Sequence, residues 1–580
     1  MIGLISATAA GTSARDRLAA AWPGRTRVYD GPVREAVERA FAECEQLVCF
    51  LATGATVRLL APLLTDKASD PGVVCVDEAG RYAVSLLGGH GGGANSLATE
   101  VASVLAAAPV ITTATDATGI PGLDTLGLPT EGAVATVTRA ILDGTPVPLH
   151  ADAVWPLPPL PPNVLRDGRL GGGGAGGPGG LGPRLFVTDR VVDLGAADVV
   201  VRPPSLVVGV GASRGVGVDE VYGLVRDVLR DAGLSVLSVV ELATVDAKAD
   251  EPGIVGAAGR LGVPLRTYPA DVLAAITVPN PSDAPLAAVG TPSVAEAAAL
   301  AAGRGGELLV PKRKSGPEGR AAMATCAVVR RAPRGRLAVV GLGPGARDLL
   351  TPRATAELRR ASVLVGLDQY VDQIRDLLRP GTRVIESGLG REEERARTAV
   401  TEARAGHAVA LVGSGDAGVY AMASPALAEA ADDIEVVGVP GVTAALAAAA
   451  ILGAPLGHDH VSISLSDLHT PWEVIERRVR AAAEADIVVT FYNPRSRGRD
   501  WQLPKALALL AEHRTATTPV GVVRNASRPD GTSHLTTLAR LDPATVDMMT
   551  VVTVGNTATR EIAGRMVTPR GYRWQSEGAR

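Results

Sequence analysis

Short runs of Val, Leu, Ile and Ala recur along the chain, each followed by a glycine- or proline-containing turn and an alanine-rich stretch of helical length. The runs QLVCFLAT (46–53), GVVCVDE (72–78), SLVVGVGAS (205–213), RLAVVGLG (336–343), HAVALVGSG (407–415), DIVVTFYNP (486–494) and TPVGVVRNAS (518–527) are continuously apolar rather than alternating. A strand that is apolar at successive positions has both faces covered. The pattern therefore predicts an α/β protein of several parallel or mixed sheets flanked by helices. The first residues, MIGLISATAAGTSARDR, read the same way, as strand, glycine turn and helix, without the basic start of a signal peptide. The stretch GVTAALAAAAILGAPLG (441–457) is too short and too broken to span a bilayer, so no membrane partner is expected.

Two interruptions divide this pattern. WPLPPLPPNVLRDGRLGGGGAGGPGGLGPR (155–184) is proline-rich and then almost pure glycine between 171 and 182, a composition that cannot hold a core. RRAPRGR (330–336) is a short basic joint. The divisions expected are residues 1–154, a linker or insertion over 155–184, then 185–330, and a self-contained part over 337–580. A length of 580 residues, with 46% apolar and 20% charged positions, has room for that many cores. A net charge of −4 without long runs of one sign excludes a basic nucleic-acid-binding face, but leaves acidic small molecules open to local arginine clusters. Cys44, Cys49, Cys75 and Cys326 form no CxxC pair and no metal spacing with His, which predicts reduced thiols in a cytoplasmic protein and no metal site.

The turn at Gly341-Leu-Gly343-Pro-Gly345 resembles a dinucleotide loop but misses the G-x-G-x-x-G spacing, and Pro344 removes an N–H where a phosphate would need a donor. It suits a rigid turn that lets a neutral or cationic cofactor approach the backbone. Four more segments follow: LVGSGDAGVY (411–420) with Asp416 at a turn, VVGVPGVTAALAAAA (436–450), SISLSDLHTPW (462–472) and FYNPRSRGRD (491–500). In that order and spacing they resemble the tetrapyrrole (corrin/porphyrin) methyltransferase family. The further match through GAPLGHDHVSISLSDLHTPWEVIERR, FYNPRSR and VTPRGY resembles its precorrin-3B C17-methyltransferase branch, the ring-contracting enzymes of cobalamin biosynthesis.

The resemblance implies a two-lobed fold with S-adenosyl-L-methionine bound between the lobes. It implies that Gly343, Pro344, Gly345, Ser414, Gly415, Asp416, Val419, Thr443 and Ala444 line the donor site, with Tyr492, Asn493 and Ala526 closing its far side. Asp416 would either bind a polar group of the donor or disfavour loss of the sulfonium charge. Arg495, Arg497 and Arg499 suit the acetate and propionate arms of a corrinoid substrate, because guanidinium pairs carboxylate bidentately. Members of the family are often homodimers, so a homodimer through this part is one expectation.

In the front part, SLLGGHGGGAN (85–95) sets His90 in a glycine run just before a helix, where an exposed imidazole can act on a bound molecule. Asp77 and Glu78 end the preceding strand and Lys67 lies in another turn, so polar groups can converge. Gly209-x-Gly211-x-x-x-Gly215 is again not a nucleotide fingerprint, and the helix start beside Ser213 and Arg214 suits a carboxylate. LLGGHGGGAN, TDKASDP (65–71), ITTATD (111–116) and the glycine turn resemble cobalt-precorrin-5A hydrolases, which open a δ-lactone and expel acetaldehyde. Many relatives carry a Cys-Arg-Arg-type turn where this chain has Ala212-Ser213-Arg214, so no cysteine is essential there. Such chemistry needs a base, for which His90 is the first candidate and Glu78 the alternative. It also needs cations, with Lys67, Lys248, Lys312 and Lys314 the candidates and Glu251 orienting Lys248. The other reading makes the front part a corrinoid-binding module without catalysis.

Overall fold

In the computed structural model, which describes residues 1–66, 69–166 and 182–572, every continuous apolar run named above carries a strand. The chain divides into two compact units, the first holding residues 1–154 and 160–333 and the second most of the chain from Arg334 onward.

Among the described residues the first unit contains three sheets. Ile2–Ser6 (β1), Thr26–Val28 (β2), Gln46–Phe50 (β3), Gly72–Val76 (β4), Tyr82–Leu87 (β5) and Ala108–Val110 (β6) are ordered β2-β1-β3-β4-β5-β6. All neighbours are parallel except β4 and β5. Thr130–Gly132 (β7), Val147–Ala151 (β8), Val164–Arg166 (β9), Leu185–Val187 (β10) and Val199–Val201 (β11) form the second, ordered β7-β11-β10-β8-β9. Strand β9 falls inside the stretch read from the sequence as a linker: Val164 pairs with Val147 and Leu165 with Pro148. Three residues between prolines and glycines are too few to show a period. The glycine tract beyond it, up to position 181, lies outside the described residues.

Leu206–Ala212 (β12), Val239–Val245 (β13), Leu265–Tyr268 (β14), Glu307–Lys314 (β15) and Ala324–Arg330 (β16) make the third sheet, ordered β14-β13-β12-β16-β15. Its first three strands are parallel, and β16 and β15 add antiparallel. Buried Asp189 ties the second sheet to the third, accepting Nε and Nη2 of Arg330 at 2.7 Å each and Ser205 Oγ at 2.6 Å.

The second unit opens with Arg336–Gly341 (β17), Val363–Leu367 (β18), Arg383–Ser387 (β19), Ala408–Gly413 (β20) and Glu435–Val439 (β21), all parallel in the order β19-β18-β20-β17-β21. Leu337, Val339 and Leu411 enter one core on this sheet, Ala338, Val340 and Val412 another, which is why the sequence shows no alternation. After Gly453–Ala454 (β22) come His460–Ser464 (β23), Val488–Tyr492 (β24), Pro519–Arg524 (β25), Thr532–Thr537 (β26) and Thr550–Val554 (β27). The last five form a mixed sheet ordered β23-β24-β27-β25-β26 around fully buried Phe491. Strand β22 pairs with Arg565–Val567 (β29), itself paired with Arg560–Ile562 (β28).

Strand order in the parallel sheet reverses at β17, and open α/β sheets bind ligands where it does so, beyond the carboxyl ends of the strands. Register aligns Gly341 with Gly413 and Val340 with Val439. The loops leaving β20, β17 and β21 therefore start side by side.

Candidate active sites

Those three loops interlock through their backbones. Gly343 N–H donates to Gly415 O at 3.0 Å, and Gly415 N–H returns a bond to Gly343 O at 2.8 Å. A Cβ on Gly441 would lie 2.2 Å from Gly415 O, and one on Gly341 2.7 Å from the same oxygen, so only glycine permits this approach. Gly343, Gly345 and Gly415 take φ of +73°, +133° and +68°, a region that L side chains avoid. Asp416 bridges two of the loops. Its Oδ1 accepts Gly418 N–H at 2.8 Å and its Oδ2 accepts Gly441 N–H at 3.0 Å.

The far side is held by aromatic and amide groups. Tyr492 Oη lies 2.5 Å from Thr443 Oγ1 and accepts Ala445 N–H at 2.9 Å, at the start of helix Ala444–Leu452. Tyr420, with its ring centroid 5.2 Å from that of Tyr492, donates its hydroxyl to Ser462 O at 2.7 Å. Asn493 donates Nδ2 to Ser464 Oγ at 3.1 Å, and buried Ala526 shares an apolar cluster with Val442 and Ala444. The residues named for the donor site thus gather on neighbouring loops of one unit, with Ser414 and Val419 on the loop after β20.

The three arginines part company. Arg499 is buried: it donates to Asn493 O and places Nη2 3.5 Å from Met548 Sδ, and burial pulls its pKa down. It holds its own loop through Asn493 O. Arg495 donates Nη1 to Ala544 O at 2.6 Å. Arg497 is exposed and makes no ion pair among the described residues.

In the first unit, the largest gathering of candidate residues is a cavity of ≈ 1210 Å³ at the third sheet. Ser213, Arg214, Lys248, Glu251, Lys312 and Lys314 all line it. Glu251 is buried beneath it, accepting Lys248 Nζ at 2.9 Å and Gly215 N–H at 2.7 Å. The Lys248 bond foremost, with Gly215 N–H adding, holds the Glu251 carboxyl below its ordinary value of 4.5 against the cost of burial. A carboxyl depressed in the folded state stabilises the fold above its unfolded pKa, and the contribution disappears as pH falls through the lower folded value. As pH falls below about 4.5 the wild-type urea midpoint should therefore fall more steeply than that of Glu251→Gln. Parallel pH profiles would remove Glu251 as a source of acid sensitivity.

His90 and Glu78 do not line this cavity. His90 is half-buried after β5, its Nε2 2.6 Å from Thr115 Oγ1, where the sequence suggested an exposed ring. Its glycine run has a packing cause, since a Cβ on Gly92 would lie 2.6 Å from Gly72 N. Glu78 is exposed in the turn that Asp77 organises by accepting Arg81 N–H at 2.7 Å and Tyr82 N–H at 2.8 Å. Lys67 lies outside the described residues. Among the described residues no His, Cys, Asp and Glu group is arranged to hold a metal, and no helix is long and apolar enough to cross a membrane. All four cysteines are buried and free, and burial pushes the Cys326 thiol up to about 12.

Residues 336–542 match the family model described as Tetrapyrrole (Corrin/Porphyrin) Methylases. A probable cobalt-factor III C(17)-methyltransferase of Salmonella typhimurium is 48% identical over 239 residues, 41% of this chain and 99% of that protein. The chain belongs to the tetrapyrrole methylase family. A precorrin-3B C(17)-methyltransferase of a Sinorhizobium species is 43% identical over 42% of this chain and 99% of its own length. The cobalamin biosynthesis protein CobIJ of Mycobacterium tuberculosis is 44% identical over 41% of this chain but only 48% of its own length. Ahead of the methylase region, residues 35–116 match Cobalamin synthesis G N-terminal and residues 206–329 match Cobalamin synthesis G C-terminus. The expected pairing of a methyltransferase with the hydrolase-type regions of cobalamin synthesis on one α/β chain is borne out.

Two features beside the glycine loops have no signature in the sequence. Tyr420 ends the quoted SGDAGVY segment, yet nothing in the sequence tells that its hydroxyl reaches Ser462. Arg528, in the RNASRPDG turn, donates Nε to Pro344 O at 3.1 Å across 184 positions of chain. A contact of that range has no local signature.

Proposed function

We propose that the second unit transfers the methyl group of S-adenosyl-L-methionine to C17 of a precorrin-3B-type tetrapyrrole, free or cobalt-bearing, with contraction of the ring. The observation that carries this reading is the three-loop glycine cradle closed by Asp416 and by Tyr492 on Thr443. The N–H groups of Gly343, Gly415, Gly418 and Gly441 are committed to Gly415 O, Gly343 O and Asp416, and Pro344 has none, so the cradle lacks the free donors that a phosphate takes. The donor supplies an already activated methyl group on a good leaving group. The chain's residues then have to align and exclude water, which is the larger share of such a barrier. Asp416 fixes two loops against each other, Tyr492 fixes the helix start at Thr443, and Val419, Ala444 and Ala526 supply apolar walls. The names of the relatives covered over 99% of their length support C17 as the methylated carbon. Incubating the full chain with the donor and either precorrin-3B or cobalt-factor III, followed by mass spectrometry, tests the reading. A gain of one methyl on one or both supports it, and no gain on either refutes it.

For the first unit the reading is hydrolysis of the cobalt-precorrin-5A δ-lactone with release of acetaldehyde. The cavity at the third sheet supports it, because Arg214, Lys312 and Lys314 suit the acetate and propionate arms of a corrinoid. In this scheme Lys248, oriented by Glu251, donates to the lactone carbonyl oxygen as charge develops there, whereas the bases expected from the sequence, His90 and alternatively Glu78, stand outside this cavity. A second reading, a corrinoid-binding module without catalysis, is favoured by the absence of His90 from the cavity lining and by the engagement of Glu251 with Lys248 and Gly215. Acetaldehyde release from lactone-bearing substrate separates the two. Wild-type turnover in both His90→Ala and Glu78→Gln would remove the assigned bases.

A further inference from the structure

The cavity at the third sheet has two chemically different sides. Among the described residues its charged lining is Arg214, Lys248, Lys312 and Lys314 against Asp250 and Glu251, so cations prevail. Lys248 is committed to Glu251, and Lys312 donates Nζ to Asn280 O at 2.5 Å. Arg214 and Lys314 are exposed and make no hydrogen bond or ion pair among the described residues. Lys314 ends β15 in register with Thr325 of β16, which in turn pairs with Gly211 of β12, just ahead of Arg214. Two uncommitted cations thus stand at the ends of neighbouring strands.

The other side comes from the segment between Asn280 and Glu296. Its helix, Asp283–Val289, contains no buried residue. Ala284, Pro285, Ala288 and Val289 share one face of that helix and line the cavity, whereas Leu286 and Ala287 are exposed on the outer face and do not. Val289 also packs on the core that holds Leu273 and Val294, which anchors the end of the helix. The ends of the segment meet, since Ser282 N–H donates to Pro292 O at 2.8 Å. Fully buried Glu296 seats it on the sheet, accepting Asn280 N–H at 3.1 Å, Asn280 Nδ2 at 2.7 Å and Lys312 N–H at 2.8 Å. One carboxylate therefore fixes the apolar wall against the strand that carries Lys312 and Lys314.

A ligand that satisfies both sides carries carboxylates on an apolar body. The body is large, because ≈ 1210 Å³ exceeds the range of about 300–1,000 Å³ usual for small-molecule pockets. A short polycarboxylate would pair with the cations and leave the wall in water. We infer that the Ala284, Pro285 and Ala288 face covers the flat apolar face of a polycarboxylate ring whose arms pair with Arg214 and Lys314. The inference rests on the reading of the first unit as a corrinoid site, with or without catalysis, and adds which residues take the ring itself.

The test is binding of dicyanocobyrinic acid, a corrin ring with carboxylate arms, to the full chain by isothermal titration calorimetry. The component lost in Arg214→Gln/Lys314→Met belongs to the cavity and tests the underlying reading. If that double variant binds as the wild type does, the cavity takes no corrinoid, and both the reading and the wall fall. Where the component is present, Ala284→Asn/Ala288→Asn should weaken it by about tenfold, while Leu286→Asn/Ala287→Asn leaves it within about twofold. The second pair places the same side chains on the outer face of the same helix, so it controls for helix stability. Equal affinity in the wild type and Ala284→Asn/Ala288→Asn overturns the inference and leaves the corrinoid reading standing. Equal weakening by both asparagine pairs does so too, because it marks the helix as a support without a ring contact.

Discussion

Replacing Gly441 with alanine should remove S-adenosylhomocysteine binding from calorimetric range and lower the stability of the second unit. The added methyl would stand 2.2 Å from Gly415 O and 2.8 Å from both the carbon and the oxygen of the Gly341 carbonyl. All three are backbone atoms of loops tied to one parallel sheet, so none can turn aside as a side chain would. Overpacking of well-packed sites typically costs about 1–3 kcal/mol, and this one belongs at the upper end. A loss of about 3 kcal/mol would lower the melting temperature of a unit this size by roughly 6–12 °C. The larger effect is on binding, because relief requires the loop after β21 to move away from Gly415 and from Asp416, whose Oδ2 accepts Gly441 N–H. Gly438→Ala is the internal control, since nothing lies within 4 Å of its added carbon. Donor affinity that survives in Gly441→Ala as it does in Gly438→Ala would show that the cradle is not the donor site.

In the first unit, Lys248→Met should reduce acetaldehyde release by about 100-fold or more, the usual effect of removing one donor to a developing oxyanion. Methionine retains much of the aliphatic volume, so the cavity wall is preserved. What is lost is the ammonium held 2.9 Å from Glu251 Oε2. Lys314→Met tests the other role, a carboxylate contact, and should raise KM with less effect on kcat. Equal kcat in wild type and Lys248→Met would take the oxyanion role away from Lys248. Substrate binding without release of acetaldehyde in the wild type would favour the binding-module reading instead.

The continuous apolar runs announced their strands because burial on both faces writes itself into consecutive positions, as at 337–341 and 408–413. The glycine loops were equally legible, since Gly341 and Gly441 are demanded by backbone approach and Gly343, Gly345 and Gly415 by positive φ. Strand β9 was not, because VLR between prolines and glycines is too short for any pattern to emerge. Nor were the individual arginines. Arg495 and Arg499 sit four positions apart in one basic loop, yet the first caps Ala544 O and the second is buried on Asn493 O. Basic residues in a loop announce charge, whereas which of them faces a ligand depends on what the rest of the fold brings alongside. The same holds for His90: the glycine run around it is explained by packing on Gly72, and its ring is held by Thr115. Lys248 and Glu251, by contrast, were paired correctly from their spacing, because three residues apart on a tight turn is within reach of one side chain by another.

The most direct test of the central claim is a nuclear magnetic resonance spectrum of product made by the full chain from donor carrying a carbon-13 methyl group. With precorrin-3B or its cobalt-bearing counterpart as acceptor, the account predicts a single labelled methyl resonance assigned to C17 of a contracted ring. A label at any other carbon, or an unlabelled acceptor recovered beside intact donor, would contradict it.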